Sequence, residues 1–152
     1  MEENKEYYMK LALKEAKKAY KKLEVPVGAI IVKDGKIIAR AHNLKETKFD
    51  TTKHAEILAI EEASSKINNW RLEQCDAYIT LEPCPMCASA LKQARVSHIY
   101  CGLSNSDSKN SEIVLQILKS DKNNAGVSII NDLAVEKVDR IMKEFFRNRR
   151  NS

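Results

Sequence analysis

Two short motifs constrain the fold of this chain most strongly, because together they supply three strong metal ligands. Residues 54–56 read HAE and, after a gap of 26 residues, residues 83–87 read PCPMC. One imidazole and two thiolates can bind a zinc ion on three sides and leave its fourth position open for water. The fold must therefore bring His54, Cys84 and Cys87 to a single point.

The second motif also predicts how its helix begins. Proline fits the first position of a helix, where its missing N–H costs nothing, so Pro85 predicts Cys84 as the N-cap and Cys87 one turn along on the same face. The positive end of the helix dipole favours the thiolate form of both cysteines. The threonines at 51–52 predict a cap for a second helix that begins near Lys53. Two helix starts facing each other would assemble the site.

Three other interpretations of the motifs are a closed structural zinc site, a redox cysteine pair and an ordinary core histidine. A structural zinc normally has four protein ligands. The other cysteines and histidines do not form a second motif with the spacing of metal ligands; they are Cys75, Cys101, His42 and His98. We expect the two cysteines to be buried thiols. Because a redox pair would leave the HAE segment unexplained, the motifs favour a catalytic zinc.

A carboxylate beside such a metal predicts proton-transfer chemistry. Zinc held by two thiolates and a neutral imidazole lowers the pKa of its water ligand to about 7. Glu56 stands two residues from His54. It would take a proton from that water and pass it to the substrate that the water attacks. Such general acid–base catalysis contributes about 10²–10⁴-fold.

Length and composition predict one globular domain spanning residues 1–152. Hydrophobic residues make up 43% of the chain and charged residues 31%, which is ordinary for a soluble protein of this size. No apolar run approaches the length of a membrane span, and the lysine-rich N-terminus has no signal-peptide core. We therefore expect a cytoplasmic protein with no membrane partner, in a compartment that keeps thiols reduced.

The net charge of +5 is concentrated in two clusters. Residues 10–22 contain six lysines and one acid, and residues 140–150 contain five basic residues and one acid. Polyanion binding would use such patches, whereas a solvated helix face is the commoner role of a lysine-rich amphipathic helix. We expect a solvated face for the first cluster. For the second we expect contact with nucleic acid, because Phe145 and Phe146 add aromatic surface.

The spacing of apolar residues predicts helices that alternate with strands. Helices are expected over 3–23, 53–65, 85–94, 112–119 and from about 133, and strands over 25–32, 37–41, 77–81, 97–102 and 127–130. Asp34-Gly35 predicts a hairpin turn, and 43–52 and 104–111 are expected to be loops. The nearly continuous apolar run at 25–32 is typical of a strand buried on both faces. The expected fold is α/β, a three-layer α/β/α sandwich around a mixed five-stranded sheet.

Finer patterns predict which helix faces are buried. The first helix carries its apolar stripe on Tyr8, Ala12, Ala16, Ala19 and Leu23. The second is expected to turn inward Ile57, Leu58, Ile60 and Ala63. Both metal-ligand helices begin near strand ends, where sheets of this class place their ligands.

Beyond the metal motif, the chain resembles the bacterial tRNA-specific adenosine deaminases of the cytidine deaminase-like superfamily. The resemblance is carried by 24–29 (EVPVGA), Asn43, 54–56 (HAE), 80–88 (TLEPCPMCA) and 145–150 (FFRNRR). An H-x-E motif followed by P-C-x-x-C is also the signature of zinc-dependent nucleobase deaminases. The resemblance covers almost the whole chain. It implies conversion of the wobble adenosine of a tRNA anticodon to inosine.

The resemblance also implies a role for each candidate residue. It assigns one zinc ion per subunit to His54, Cys84 and Cys87, and the proton shuttle to Glu56. The base pocket would be lined by Asn43, Val27 and the backbone of Ala55. Contacts with the tRNA anticodon stem-loop would come from Asn105, Phe145, Arg147, Arg149 and Arg150. Members of this family form homodimers in which the partner subunit helps to bind the RNA.

The chain departs from the family pattern near the expected pocket. Lys53 stands where the family usually has alanine and Thr51 where it usually has proline. Residues 104–111 (SNSDSKNS) replace a segment with an Arg-Asp pair and a glycine-rich turn. Because Asn105 replaces an acid that could accept from a ribose 2′-hydroxyl, one hypothesis is weaker discrimination of RNA from DNA. The alternative is a neutral loop variation with the same tRNA substrate.

Two other functions share the zinc motif. A deaminase of a free base or nucleoside, of the guanine or cytosine type, would act on small substrates with little salt dependence. A tRNA enzyme would lose affinity steeply as salt rises, because phosphate contacts release counterions. The second alternative is a non-catalytic zinc-bound subunit that presents RNA to a partner. The presence of Glu56 disfavours it, because such a subunit needs no proton shuttle.

Overall fold

A computed structural model describes residues 2–150 and, of their side chains, those of residues 4–149. Within this range helices and strands alternate along the chain, except that β1 and β2 are consecutive. The helices are α1 (Glu2–Lys21), α2 (Ala55–Ile67), α3 (Pro85–Gln93), α4 (Ser108–Leu118) and α5 (Val135–Arg150). The strands are β1 (Gly28–Lys33), β2 (Lys36–His42), β3 (Cys75–Leu81), β4 (His98–Leu103) and β5 (Ser128–Ile130). No helix in the described range is long and apolar enough to cross a lipid bilayer.

The strands form a mixed five-stranded sheet in the order β2-β1-β3-β4-β5. β1 is antiparallel to both β2 and β3, whereas β3, β4 and β5 are parallel. β2, β3 and β4 therefore run in one direction, and their carboxyl ends lie at the same edge of the sheet. Ligand sites in such sheets form outside the carboxyl ends of the strands.

Helices cover both faces of the sheet, which confirms the predicted three-layer sandwich. Ala29 and Ile31 of β1 belong to the core shared with α2, α3 and α4. Ile30 and Val32 belong to the core shared with α1. Because successive side chains of a strand point to opposite faces, this alternation confirms that β1 is buried on both sides.

Two glycines fulfil distinct backbone requirements. A Cβ atom on Gly28 would lie 2.0 Å from the Ala12 carbonyl oxygen and 2.6 Å from the Ala16 nitrogen, so only glycine allows α1 to pack this closely on β1. Asp34 and Gly35 have φ values of 51° and 73°. Positive φ at both central residues defines the type I′ turn that Asp-Gly predicts.

Two helix boundaries in the sequence prediction were wrong. α1 ends at Lys21, and Leu23 has a left-handed backbone (φ 62°) and is 78% exposed, so it lies outside the apolar stripe. α4 begins at Ser108, within the predicted loop 104–111, because the Asp107 side chain accepts a hydrogen bond from the Lys109 N–H and caps the helix.

The second helix also differs in its start and in its buried face. Its N-cap is His54, not a threonine, because the N–H and O–H of Thr52 both donate to Asp50. The fully buried positions are Ala55, Ala59 and Ala63, which bring the helix close to the sheet. Leu58 and Ile60 are partly buried and pack against the core, as predicted, whereas Ile57 is only partly buried.

Candidate functional site

The three predicted metal ligands meet at the carboxyl edge of the sheet. His54 and Cys84 are the N-caps of α2 and α3, and Cys87 lies in the first turn of α3. Their ligand atoms all lie within 4.8 Å of one another. His54 Nδ1 is 3.8 Å from Cys84 Sγ and 3.5 Å from Cys87 Sγ. The structure therefore places two helix starts face to face, as their sequences predict.

These distances match the geometry of a tetrahedral zinc site. Zinc binds sulfur at about 2.3 Å and nitrogen at about 2.0–2.1 Å, so tetrahedral ligands lie about 3.6 Å apart. The two nitrogen–sulfur distances of 3.8 and 3.5 Å lie on either side of that value. The group of potential metal ligands has three members in the described part of the chain. The residues therefore fit a zinc ion that retains an open fourth position.

The two cysteines share a proton unequally. A hydrogen bond from the Cys87 side chain, outweighing burial and assisted by backbone N–H groups and the charge of His54, lowers the pKa of Cys84 to about 5. The Cys84 thiolate, together with burial, raises the pKa of Cys87. One thiolate is thus ready at neutral pH, and metal binding would release the remaining proton because the metal binds the deprotonated thiol.

Glu56 has the position and the acidity that proton transfer at this site would require. It lies in the first turn of α2 and is 4% exposed. Burial, followed by the negative charge of Cys84, raises the pKa of Glu56 to about 7. A carboxyl group with a pKa near the working pH both accepts and donates protons efficiently.

A cavity of about 270 Å³ opens beside these groups. Pockets for drug-sized ligands measure about 300–1,000 Å³, so this one suits a single nucleobase. Its wall includes His54, Cys84 and Glu56 from the centre. Four residues predicted to bind substrate or RNA also line it, namely Val27, Asn43, Asn105 and Arg149.

Asn43 has a fixed orientation in this wall. Its Oδ1 atom accepts a hydrogen bond of 2.7 Å from the Ala55 N–H. With Oδ1 held by the start of α2, the amide NH₂ is the end that can donate into the cavity. Ala55 is fully buried and is not part of the wall. Its backbone therefore acts on the pocket through Asn43.

The residues predicted to contact RNA are placed differently from one another. Phe145 is only 5% exposed and packs edge-on against Tyr20 with ring centroids 5.9 Å apart, so its ring offers no free face for stacking. Contact between Phe145 and RNA therefore stays a prediction, which in this conformation has no exposed ring face to support it. Arg147 is exposed, and the Arg149 guanidinium lies 5.8 Å from the centre of the Phe145 ring. The side chain of Arg150 lies outside the described residues.

Sequence reasoning missed two buried carboxylates that hold the cavity wall. Glu24 is 1% exposed and accepts from the backbone N–H groups of Glu46 and Thr47 and from the Thr47 hydroxyl. Glu82 is 3% exposed and accepts from the backbone N–H of Asn105. It also accepts from the side chains of Asn110, Ser111 and Asn131. The available signal was an acid directly beside an apolar run, before it for Glu24 and after it for Glu82, because a buried acid must find hydrogen-bond partners.

Comparison with known proteins gives a consistent result over the whole chain. The family model of the MafB19-like deaminases matches residues 3–150. The tRNA-specific adenosine deaminase of Aquifex aeolicus is 45% identical over 150 residues, covering 97% of each protein. The enzyme of that name from Bacillus subtilis is 43% identical over 145 residues, covering 95% of this chain and 90% of the relative.

A solved structure is similar as well. It comes from biochemical and structural studies of A-to-I editing by tRNA:A34 deaminases at the wobble position of transfer RNA. The TM-score is 0.80 at 34% sequence identity, and the match covers 89% of this chain and 98% of that one.

Proposed function

The chain belongs to the MafB19-like deaminases and, with its curated relatives, to the tRNA-specific adenosine deaminases; from this premise we propose that it converts the wobble adenosine of tRNA to inosine by hydrolytic deamination. The observation that carries the proposal is Glu56, buried in a cavity of nucleobase size beside three convergent metal ligands. The site thus combines a metal position, a proton shuttle and a base pocket.

We assign one zinc ion per subunit to His54, Cys84 and Cys87. When bound, zinc supplies Lewis-acid activation of a water molecule, whose pKa falls to about 7. Glu56 would accept one proton of the attacking water and donate it to a ring nitrogen of the adenine. It would then take the remaining proton of the added hydroxyl group and deliver it to the amine, so that the carbon–nitrogen bond breaks, ammonia leaves and the carbonyl group of inosine forms. Its pKa of about 7 suits both directions of transfer.

The other predicted pocket residues orient the base. Asn43 presents an NH₂ donor, which suits an acceptor nitrogen of a purine ring. Val27 and Leu81 provide apolar wall, and their side chains would contact the faces of the base. Together they exclude bulk water from the reacting carbon.

The basic face of α1, which the sequence led us to expect as a solvated surface, forms a groove with α5 that favours a polynucleotide over a free base. Its volume is about 600 Å³, and six basic side chains line it, namely Lys10, Lys14, Lys17, Lys21, Lys137 and Arg140. Lysines three or four residues apart on one helix repel one another, and a polyanion would relieve that repulsion. α1 and α5 both lead to the cavity, whose wall includes Glu24 just beyond α1 and Arg149 in the last turn of α5.

The remaining features of the proposal follow from the family and from the chemistry of the thiols. We propose a single zinc-dependent deaminase domain over 1–152 that acts as a homodimer on the anticodon stem-loop. Arg147, Arg149 and Arg150 at the end of α5 would contact the RNA near the target nucleotide. A cytoplasmic location would keep the cysteine ligands reduced.

Incubation of the purified protein with total tRNA, followed by sequencing for A-to-G changes, tests the proposal. We expect changes at the wobble position alone. Glu56→Ala should retain zinc, measured by atomic absorption, and lose at least about 10²-fold in rate. Ammonia release from free guanine or cytosine, with no change in tRNA, would support the free-base alternative and contradict the proposal.

A further inference from the structure

Phe49 combines two properties that the fold does not require. Its side chain is 96% exposed, so it gains almost nothing from packing within the chain. Its backbone is left-handed, with φ at 52°. A bulky residue in this region is an outlier, because its Cβ crowds the backbone. Strained residues of this kind concentrate at ligand-binding and active sites.

The segment that carries Phe49 is firmly held. Residues 43–54 connect β2 to α2. The Phe49 N–H donates to the Glu46 carbonyl at 3.4 Å, and the Asp50 N–H donates to the Lys45 carbonyl at 3.0 Å. The buried Glu24 carboxylate accepts a hydrogen bond from the Glu46 N–H and so holds the segment on its buried side. An exposed aromatic ring is therefore displayed on an ordered scaffold.

Phe49 is linked to the cavity wall through a backbone hydrogen bond. Lys45 and Glu46 belong to the cavity wall, and Phe49 is hydrogen-bonded to Glu46. Lys48, next in the chain, is exposed. An aromatic ring accompanied by lysines is the combination with which proteins hold single-stranded nucleic acid, stacking the base on the ring and pairing the phosphate with the cation.

Base removal from a stack explains why such a ring would be placed here. A nucleotide that enters the cavity must leave the stack of the anticodon loop. Its neighbour then loses one stacking face to water. We propose that Phe49 is a stacking platform for a base of the RNA substrate adjacent to the base that enters the cavity. This inference rests on the proposed function, because it requires an RNA substrate.

Substitution of the ring tests the inference. Phe49→Ala should raise KM for an anticodon stem-loop about 5- to 150-fold, the range of one base–aromatic stack, with kcat at saturating RNA unchanged. Phe49→Tyr should restore KM, whereas Phe49→Leu, which is apolar but has no π face, should not. Phe49→Gly should raise KM as alanine does while the melting temperature stays equal or rises, because glycine adopts positive φ freely.

Leu23 provides a matched control for exposure and backbone. It is 78% exposed with φ at 62°, but its side chain is aliphatic. Leu23→Ala should leave KM for the RNA unchanged. An equal rise in KM for Leu23→Ala and Phe49→Ala would show a general surface effect and overturn the stacking assignment.

A double-mutant cycle identifies the base. Each nucleotide of the loop other than the target is replaced in turn by an abasic residue, and KM is measured with wild type and Phe49→Ala. We expect one position at which the two changes are non-additive, since either removes the same stack. Additivity at every position would overturn the inference while leaving the proposed function intact. So would a lower mass for Phe49→Ala by light scattering, because a second copy of the chain would then cover the ring. A wild-type protein that leaves the stem-loop unconverted would contradict both proposals.

Discussion

The two loops that flank the cavity are each held by a buried glutamate, but the two glutamates hold different kinds of partner. Glu24 accepts from two backbone N–H groups and one hydroxyl of the loop between β2 and α2. Glu82 accepts from one backbone N–H and from three side chains that come from α4 and from the segment after β5. The first loop is thus fixed mainly through its backbone, and the second through the identity of its side chains.

The partners also differ in their access to water. Glu46 and Thr47, which bind Glu24, are exposed. The side chains that bind Glu82 are half-buried, namely Asn110, Ser111 and Asn131. A donor that loses its acceptor in an exposed loop can bond to water, whereas a half-buried donor stays unsatisfied. The two walls should therefore respond unequally to loss of their carboxylates, and this inequality can be measured.

The largest effect is expected for Glu82→Ala. It removes a charged acceptor from several half-buried donors, each bond to a charged group contributing about 1.5–3 kcal/mol. Because such losses are not additive, we expect about 3–5 kcal/mol less free energy of unfolding by urea denaturation. Glu82→Gln, which keeps one acceptor oxygen, is the control and should fall between the variant and wild type. A loss below that of Glu24→Gln would refute the comparison.

Glu24→Gln should have a smaller effect on stability and a clearer effect on substrate binding. The exposed donors of Glu46 and Thr47 can turn to water, so we expect a loss of about 1–2 kcal/mol in urea. The loop also positions Lys45 and Glu46 in the cavity wall. KM for the stem-loop should therefore rise more than kcat falls. An unchanged KM together with reduced stability would show that the loop has no part in binding.

The acid dependence of stability gives a separate test of the hydrogen bonds to Glu24. Burial raises the pKa of Glu24, but hydrogen bonds from the Thr47 side chain and from the Thr47 and Glu46 backbone outweigh it and leave the pKa below 4.5. A pKa lowered by folding stabilises the protein above the unfolded value and loses that contribution as pH falls through the folded value. Wild type should thus lose stability below about pH 4.5 more steeply than Glu24→Gln. Parallel curves in urea from pH 6 to pH 3 would contradict the assignment.

The same contrast explains what the sequence could predict. The metal ligands are set by short-range rules: a proline at the first position of α3 and an imidazole at the start of α2 follow from local sequence, so His54, Cys84 and Cys87 could be located in advance. The alternating burial of β1 follows from its continuous apolar run. These features depend on residues that are neighbours in the chain.

Features that depend on distant partners could not be predicted in this way. Nothing near Glu82 in the sequence shows that Asn131, 49 residues away, will bond to it. The aromatic residues at 145–146 read as a nucleic-acid surface, but Tyr20, 125 residues earlier, covers Phe145. Phe49 is the opposite of Phe145, because the sequence did not single it out and the structure exposes it. An apolar residue in a polar loop indicates a binding surface only once its 96% exposure is known.

The smallest effect is expected at Asn105, where the resemblance to the family predicts an acid. Its backbone N–H binds Glu82, and its Oδ1 already accepts from the Asp107 N–H at 2.9 Å. An aspartate at this position would keep both bonds, so Asn105→Asp should leave stability almost unchanged. Its free oxygen lone pairs would then decide whether a ribose 2′-hydroxyl is recognised.

Turnover of matched RNA and DNA hairpins by wild type and Asn105→Asp measures that recognition. One hydrogen bond to a charged acceptor contributes about 1.5–3 kcal/mol at most, and the internal bond to Asp107 competes for the same carboxylate. We therefore expect the preference for RNA over DNA to rise by no more than about tenfold. An unchanged ratio of RNA to DNA turnover would mean that sequence variation in loop 104–111 does not affect recognition of the sugar. The cavity wall held by Glu82 would then support the cavity without contributing to substrate specificity.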